Sequence, residues 1–415
     1  MGHKGVRPEK RRPVLAICGG GNAGHALAVV ASQRFDGDVT WLVGSEQKAE
    51  ILRAGVFSPE GLTSTGKIEA AATRVKRISA DAADVIPGAD LVLIAVPAYL
   101  HAPILRQIAP HLSPDALVGS LPARSGFEFE ATAILGPRPI FGLQTLPWST
   151  RVQVPGKRCN FGSIKSRVLM AALPASRTQE IAAGLTELFG AQMVPTQNFL
   201  NITLGNPGQV IHPGLMYGLF KSWDGRPFGP EAVPHFYAHT SEAGGEFVGR
   251  LSREIGTAAA VIQARAGDRL DLSGVNYIHE WLRMSYATQT ADLSTIAACF
   301  RTGPLQMRKA PVLEVTPGAF VPNFAYRYLT EDVPFGLAIA KAIAQIAGAP
   351  TPAIDELLAW AQDKLAKQYL LDGEIRGTDA RELPTPQNYG VQSVDALVNW
   401  YVRENAAAPV ARVGA

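Results

Sequence analysis

The chain has 415 residues, about two to three times a typical domain of roughly 150 residues, so we expect two packed domains rather than one small binding module. Hydrophobic residues make up 47% and charged residues 18% of the chain, which also contains 40 glycines and 30 prolines. This balance is typical of a compact globular protein with a large core and many turns. It excludes a chain that is disordered throughout.

The formal net charge of +3 is concentrated at the amino terminus. The first twelve residues contain one acidic side chain, Glu9, and the basic side chains Lys4, Arg7, Lys10, Arg11 and Arg12. The remaining chain therefore has a net charge of −1. A nearly neutral body lacks the basic surface that nucleic acids require, so we expect no nucleic-acid partner. Residues 1–12, without aromatic residues or helical periodicity, are predicted to form a basic disordered tail.

Cysteine content and hydropathy indicate the compartment. Only Cys18, Cys159 and Cys299 occur, widely spaced and odd in number, which excludes a disulfide framework and a CxxC metal site. The apolar stretch 14–18 is too short for a signal-peptide core, and no later run approaches the ~18 apolar residues of a membrane span. We therefore expect a soluble cytoplasmic protein with neither a metal nor a membrane partner.

In the first half of the chain, short apolar runs alternate with amphipathic ones. The runs predict strands at 13–18, 38–43, 90–96, 116–121, 139–145, 151–154 and 166–174. The amphipathic stretches predict helices at 22–33, 46–54 and 177–188. Continuous apolar strands separated by helices are typical of a parallel sheet covered on both faces. We therefore predict an α/β Rossmann domain over residues 13–195 that binds a dinucleotide.

From about residue 196 the apolar pattern becomes long and helical. Ile339, Ile343 and Ile346 follow the spacing of a buried helical face, and Leu357 and Leu358 belong to a second such face after a proline-rich break. Segments rich in Gly and Pro at 224–234 and 372–389 are predicted to be loops or insertions. Residues 196–415 are therefore predicted to form an all-α domain that binds substrate and carries out catalysis.

A glycine-rich turn lies between the first predicted strand and helix. Its glycines, Gly19, Gly21 and Gly24, satisfy the pattern GxGxxG, with Asn22 and Ala23 opening the helix. Glycines allow a tight turn and a close approach of the backbone, and the helix N-terminus offers free N–H groups to a pyrophosphate. These five residues are predicted to bind the cofactor. A glycine-rich turn that binds nothing is the alternative.

The end of the second strand bears on the choice between NAD and NADP. An acidic residue expected about 20 residues after the last glycine takes the ribose hydroxyl of NAD, but this position is Gly44-Ser45. Ser45, Gln47 and Lys48 could instead accommodate a 2′-phosphate, which favours NADP, although Glu46 could still serve NAD. Pro97, after the strand 90–96, is expected to form a rigid wall beside the nicotinamide.

Two clusters in the second half suggest proton transfer beside a hydride acceptor. His212 lies between proline- and glycine-rich turns, where a neutral imidazole could exchange a proton with a carbonyl or an amine. Asp332 could orient that imidazole, and Arg327 could grip a substrate carboxylate. Each has a simpler explanation: a hydrogen-bonded structural histidine, a helix N-cap and a surface arginine, respectively.

The sequence resembles the opine dehydrogenase family of the octopine and nopaline type. The resemblance rests on the segments GGGNAGHA (19–26), VPAYLH (96–101), LPW (146–148), GNPGQVIHPG (205–214), YRYLTEDVP (326–334) and PQNYG (386–390). It implies an enzyme that condenses an L-amino acid with pyruvate or 2-oxoglutarate and reduces the resulting imine with NAD(P)H. It further implies that His212 is the catalytic acid/base, Asp332 its partner, and Arg327 a ligand of substrate carboxylate.

Two other functions fit the predicted layout. Ketopantoate, hydroxy-acid and glycerol-3-phosphate reductases have a similar domain order but typically use a lysine early in the helical domain, where this chain has none before Lys221. A nucleotide-sensing protein would need no proton-transfer residues. The aromatic residues Trp223, Tyr237, Trp281 and Tyr286 could line the substrate pocket or belong to the core. The sequence leaves a homodimer open.

Overall fold

The computed structural model describes residues 11–70 and 73–406. The first half of this part of the chain is α/β and the second half is rich in helices, so the predicted fold class is confirmed. Among the described residues, none of the helices combines the length and the hydrophobicity needed to cross a membrane.

Two residues of the predicted basic tail, Arg11 and Arg12, belong to the described residues. Residues 1–10 lie outside the described residues, but Arg11 and Arg12 contact the folded body. Arg11 donates a hydrogen bond to the backbone oxygen of Gly88 at 2.8 Å and forms an ion pair with Asp90. The body therefore begins by Arg11, because carboxylates on its surface attract these two guanidinium groups.

The first half contains eleven strands within the described residues. They are β1 (Val14–Cys18), β2 (Asp38–Leu42), β3 (Thr63–Gly66), β4 (Arg77–Ser79), β5 (Leu91–Ile94), β6 (Leu117–Ser120), β7 (Ile140–Leu143), β8 (Trp148–Val154), β9 (Arg158–Ile164), β10 (Arg167–Leu173) and β11 (Gln192–Pro195). The helices are α1 (Asn22–Arg34), α2 (Glu46–Val56), α3 (Ala82–Val85), α4 (His101–Ile108), α5 (Phe127–Leu135) and α6 (Thr178–Phe189).

Eight of these strands form one sheet in the order β11-β10-β7-β6-β5-β1-β2-β4. The chain builds outward from β1 in one direction through β2 and β4 and then in the other through β5, β6 and β7, so the topological switch point lies at β1 and β5. All neighbours pair in parallel except β10 and β7, which are antiparallel. The expectation of a wholly parallel sheet is corrected here, because the excursion through β8 and β9 returns the chain in the opposite direction.

The predicted strand 151–154 belongs to a separate sheet. It is the end of β8, which pairs with β9, and β9 pairs with β3. This three-stranded sheet lies beside the glycine-rich turn, because the Asn22 side-chain oxygen accepts a hydrogen bond from the Val152 N–H at 2.8 Å.

Alternating residues of β1 face two different cores. Leu15 and Ile17 pack in a core formed within the first half. Ala16 and Cys18 face the other side, where the core continues without a break into the helices of the second half. Continuous apolar strands follow from this arrangement, since both faces of the sheet are covered.

The second half consists mainly of helices. They are α7 (Leu200–Leu204), α8 (Gly208–Phe220), α9 (Glu242–Ala266), α10 (Ile278–Tyr286), α11 (Ile296–Thr302), α12 (Arg327–Thr330), α13 (Ala338–Ala347), α14 (Pro352–Leu365) and α15 (Val394–Ala406). Ile339, Ile343, Leu357 and Leu358 are fully buried, as their helical spacing predicts. The expectation of an all-α region omits two hairpins, which pair β12 (Val312–Thr316) with β13 (Ala319–Pro322) and β14 (Leu370–Leu371) with β15 (Glu374–Ile375).

A buried carboxyl group connects the two halves away from the glycine-rich turn. Glu128 of α5 accepts hydrogen bonds at the same oxygen from Thr203 of α7 and Tyr401 of α15, both at 2.6 Å. Burial raises the pKa of Glu128 to about 7, although these two hydrogen bonds oppose the shift. The folded protein therefore favours the protonated carboxyl at a pH where the unfolded chain has lost the proton.

We predict that Glu128→Gln abolishes the part of the pH dependence of the free energy of unfolding that comes from Glu128. Because the folded-state pKa of Glu128 is raised, its contribution to the free energy of unfolding falls as pH rises from about 4.5 to about 7. As the pH rises from 4.5 to 8, the free energy of unfolding of the variant should increase by on the order of 3 kcal/mol relative to that of the wild type. Urea unfolding across this range measures the difference, with the exposed Glu180→Gln as control. A difference that stays constant with pH would contradict the prediction.

Candidate active site

The glycine-rich turn leaves a space in front of the N-terminus of α1. Gly19 has a φ of +125°, and a Cβ at Gly24 would lie 1.8 Å from the Gly19 carbonyl oxygen, so the packing of the turn requires both glycines. A Cβ at Gly21 would meet nothing within 4 Å. No side chain caps this end of α1, where Asn22 and Ala23 contribute N–H groups without helical partners. Packing does not explain Gly21, whereas a phosphate bound in this space would.

The side chain of Asn22 has a structural task. It accepts the hydrogen bond from Val152, so its amide oxygen is already used, although the residue also lines the cavity described below. His25, one turn further along α1, contacts the Gly21 carbonyl oxygen through Nδ1 and accepts a hydrogen bond from the Gly156 N–H through Nε2, each at 2.9 Å. These contacts fix α1 against the three-stranded sheet.

The carboxyl end of β2 is open where an acidic residue was expected. A Cβ at Gly44 would meet nothing within 4 Å. Ser45 caps α2 by accepting a hydrogen bond from the Lys48 N–H at 3.3 Å, and Glu46 forms an ion pair with Arg53. The Lys48 side chain extends along the glycine-rich turn, since a Cβ at Gly20 would lie 2.9 Å from its Cε.

The segment after β5 links the sheet to the second half. Pro97 precedes a short helical turn, and the Ala98 N–H donates a hydrogen bond to a carboxylate oxygen of Glu331 at 3.3 Å. His101, four residues beyond Pro97, is buried with its Nε2 3.2 Å from the Ser120 hydroxyl. Burial lowers the pKa of His101 to about 3, so this histidine remains neutral.

His212 and Asp332 form a pair across two elements of the second half. The Nδ1 atom of His212, on α8, lies 2.8 Å from Oδ2 of Asp332. The imidazole stacks on the Tyr328 ring with centroids 4.0 Å apart and planes inclined by 12°. Asp332 stands at the N-cap position of a π-helical turn, Val333–Leu337, but its side chain forms no capping hydrogen bond. The capping explanation for Asp332 is therefore wrong, because the carboxylate contacts His212 instead.

Arg124 completes this cluster and was not anticipated from the sequence. It follows β6, and its Nη1 lies 2.6 Å from Oδ1 of Asp332 while its Nε donates to Glu331 at 3.3 Å. Arg327, whose side chain is half exposed, lies 2.8 Å from the second carboxylate oxygen of Glu331. A Cβ at Gly208 would approach Arg124 to 2.8 Å, so the glycine in GNPG makes room for this guanidinium.

The charges of the cluster determine its protonation. Burial alone would raise the pKa of Asp332, but Arg124 and His212 outweigh burial and lower it below the usual range. Burial also lowers the pKa of His212, and Arg124 and Arg327 add to this effect against the opposing influence of Asp332. Near neutral pH the pair is therefore an aspartate and a neutral imidazole whose Nδ1–H donates to Asp332. The Nε2 atom can then accept a proton.

His212 faces a cavity of about 380 Å³ between the two halves of the chain. Its wall includes Asn22 from the first half and Arg327 from the second half. The cationic groups in the wall belong to Arg124, Arg151, Lys165, Arg308 and Arg327. Of the four aromatic residues considered from the sequence, Tyr237, Trp281 and Tyr286 line the cavity, whereas Trp223 packs against Phe228 and Phe324.

The structure brings some predicted residues together and separates others. His212, Asp332 and Arg327 lie in one cluster, and Gly21 and Asn22 lie across the cavity at the glycine-rich turn. Ser45 lies at the N-terminus of α2, outside the wall of the cavity. Sequence analysis missed Arg124, Glu331 and Arg308, because their importance comes from neighbours that are distant in the sequence.

The chain shares its fold with two-domain dehydrogenases, and its similarity to known proteins identifies the family. The family described as NAD/NADP octopine/nopaline dehydrogenase, alpha-helical domain, matches residues 195–365. The chain is 32% identical to the opine dehydrogenase of Haliotis discus hannai over 94% of its own length and 99% of the relative. It is also 32% identical to the octopine dehydrogenase of Pecten maximus, over 92% and 98%. The chain belongs to the opine dehydrogenase family, as predicted.

Solved structures agree with this assignment. Octopine dehydrogenase with NADH and L-arginine has a TM-score of 0.84 and 29% identity, covering 96% of this chain and 100% of that one. A ketopantoate reductase from Ralstonia eutropha has a TM-score of 0.55 at 16% identity, covering 85% and 98%, which is a likeness of fold alone.

We predict that Arg124→Met moves the acidic limb of the pH–activity profile to higher pH. Without Arg124, the pKa values of both Asp332 and His212 should rise, since the guanidinium lowers each of them. Turnover should fall by about tenfold or more as the imidazole loses its fixed orientation. Dehydrogenase activity between pH 5 and 9 measures both effects.

Arg124→Lys is the matched control for this prediction. It keeps the positive charge without the planar fork of donors, so its acidic limb should move less than that of Arg124→Met. Cofactor titration verifies that each variant is folded. A wild-type profile in Arg124→Met would show that Arg124 does not influence the pair.

Proposed function

We propose that the protein is an opine dehydrogenase that condenses an L-amino acid with pyruvate or 2-oxoglutarate and reduces the resulting imine with NAD(P)H. The observation that carries this proposal is the His212–Asp332 pair facing a cationic cavity at the carboxyl ends of the sheet strands. Such a cavity suits substrates that each bring a carboxylate, and the pair suits the proton transfers that accompany imine formation. Octopine dehydrogenase, a relative, has been solved with NADH and L-arginine and, in a separate structure, with NADH and pyruvate.

The residues at the glycine-rich turn fit a dinucleotide. The open space at Gly21 and the free N–H groups of Asn22 and Ala23 can receive a pyrophosphate, and Gly19 and Gly24 permit the close approach. Ser45 and Lys48 border the open position at Gly44, which favours NADP over NAD. Pro97 would line the nicotinamide side. The bound cofactor supplies the hydride.

The remaining chemistry belongs to side chains of the second half. His212 accepts a proton at Nε2 from the incoming ammonium, which frees the amine to attack the 2-oxo carbon, and returns the proton when hydroxide leaves as water. Asp332 keeps Nδ1 protonated and stabilises the imidazolium while it exists. Arg327, half exposed and anchored at one side by Glu331, binds a substrate carboxylate and orients the face that receives the hydride.

A reductase acting on a hydroxy acid is the main alternative. Reductases of that type typically use a lysine early in the helical domain. The first lysine of the helical half of this chain is Lys221, which lies exposed at the end of α8 with its Nζ over the Tyr217 ring at 4.9 Å. Oxidation of NADPH with pyruvate alone, and with pyruvate plus a panel of amino acids, distinguishes the two activities. We expect oxidation only when an amine is present. An amine-independent rate would favour the alternative.

We predict that His212→Ala lowers kcat by at least about 10²-fold without weakening cofactor binding. The variant loses the proton acceptor, but the glycine-rich turn that binds the dinucleotide is unchanged. Stopped-flow measurement of turnover and fluorescence titration of NADPH separate these quantities. His111→Ala, at a histidine outside the cavity wall, is the control. Wild-type turnover in His212→Ala would remove the assignment of His212.

We predict that Gly44→Asp changes the cofactor preference toward NADH. The substitution places an acid at the end of β2, where it can accept a hydrogen bond from the ribose hydroxyl and repel a 2′-phosphate. The surrounding space is open, so the side chain fits. The ratio of kcat/KM for NADH to that for NADPH should rise at least about tenfold, whereas Gly44→Asn should change it less. An unchanged ratio in Gly44→Asp would show that the ribose binds elsewhere.

We also propose a cytoplasmic location. All three cysteines are buried and unpaired, which suits a reducing compartment.

Sedimentation of the purified protein decides between a monomer and the homodimer that the sequence leaves open.

A further inference from the structure

The charges that line the cavity are all of one sign. The cationic groups in its wall are those of Arg124, Arg151, Lys165, Arg308 and Arg327, and no aspartate or glutamate belongs to the wall within the described residues. Asp332 and Glu331 lie behind the wall, fully buried and paired with Arg124. A cationic substrate side chain would therefore meet like charges and no counter-charge. Burying a charge without a partner is costly.

The carboxylates of the two substrates account for the positive charge near His212. Arg327 extends from the cluster toward the cavity, and Arg308 lies over the Tyr328 ring at 5.8 Å, close to the imidazole that stacks on the same ring. Arg308 forms no ion pair within the described residues. These two guanidinium groups suffice for one carboxylate from the 2-oxo acid and one from the amino acid. Arg151 lies in β8 and shares the cavity wall with Asn22 of the glycine-rich turn.

One part of the cavity wall is formed by aromatic and aliphatic side chains. Tyr237 and Phe300 have ring centroids 5.7 Å apart, and Trp281 and Tyr286 have centroids 5.8 Å apart. Leu282 and Leu305 extend the same wall.

Trp281 is held in place by a hydrogen bond rather than by packing alone. Its Nε1–H donates to Gln144 Oε1 at 3.1 Å, and Gln144 in turn donates to the Gly205 carbonyl oxygen at 2.6 Å. Trp281 and Gln144 also line a second cavity of about 330 Å³. Both residues of this hydrogen bond therefore lie between the two cavities.

We propose that the amine substrate is an L-amino acid with a large, uncharged, apolar side chain, and that Tyr237, Trp281, Tyr286, Phe300 and Leu305 receive this side chain. The inference rests on the proposed function and specifies its amine. Each methylene group that enters an apolar wall contributes roughly 10- to 200-fold to discrimination. A guanidinium in the same place would lose its water without gaining a carboxylate.

The first experiment compares amines at saturating pyruvate and NADPH. The panel contains L-leucine, L-phenylalanine, L-alanine, L-arginine and L-glutamate. We expect kcat/KM for leucine or phenylalanine to exceed that for each of the other three by at least tenfold. A preference for arginine, glutamate or alanine would overturn the inference and leave the proposed function intact. If neither NADPH nor NADH is oxidised with any of the amines, and 2-oxoglutarate in place of pyruvate gives the same result, both the inference and the proposed function are overturned.

The second experiment places a carboxylate in the apolar wall. Leu305 is half-buried in a loop, so both Leu305→Glu and its control Leu305→Gln, whose side chain has nearly the same shape as glutamate, are expected to fold. Titration with NADPH verifies that each variant is folded. The ratio of kcat/KM for L-arginine to that for L-leucine should rise at least tenfold in Leu305→Glu relative to Leu305→Gln. Equal ratios in the two variants would show that the side chain of the amine does not lie against Leu305 and would overturn the assignment.

Discussion

The cluster of Arg124, Asp332, Glu331 and His212 is the interaction on which the rest of the structure depends. Buried carboxylates are stable only when cations compensate them, and here the compensating guanidinium comes from the first half of the chain while both carboxylates come from the second. The two halves must therefore pack together before Asp332 can orient His212. The cluster couples the arrangement of the halves to the protonation of the proposed catalytic imidazole.

The sheet determines where this cluster meets a dinucleotide. The glycine-rich turn follows β1, the Pro97 segment follows β5 and Arg124 follows β6, so three neighbouring strands direct their carboxyl ends toward one cleft. One face of the same sheet shares its core with the helices of the second half, including α8, which carries His212. The proposed cofactor and substrate sites consequently meet at one cavity, whose wall carries five cationic side chains within the described residues.

Much of the fold and part of the site could be predicted from local patterns. Apolar runs located β1, β2, β5, β6, β7 and β10 because buried parallel strands are hydrophobic on both faces. The antiparallel direction of β10 and the separate sheet of β8 could not be predicted, since strand pairing is a contact between distant segments. His212, Asp332 and Arg327 were found through their motifs. The side chain of Asp332 was compatible with capping until its neighbour in space was known.

The sequence by itself determined the class of the protein: a nucleotide-binding turn with its necessary glycines, a helical second half, and the motifs of the opine dehydrogenase family. The turn and the helices depend on residues that are close together in the chain, so spacing and periodicity reveal them, and the family was indicated by resemblance to its motifs. Only the tertiary structure decided that Arg124 balances Asp332, that Glu331 connects Ala98 with Arg327, and that no carboxylate lines the described wall of the cavity. Charge balance in a buried site is a sum over neighbours in space, and folding alone determines which residues become neighbours.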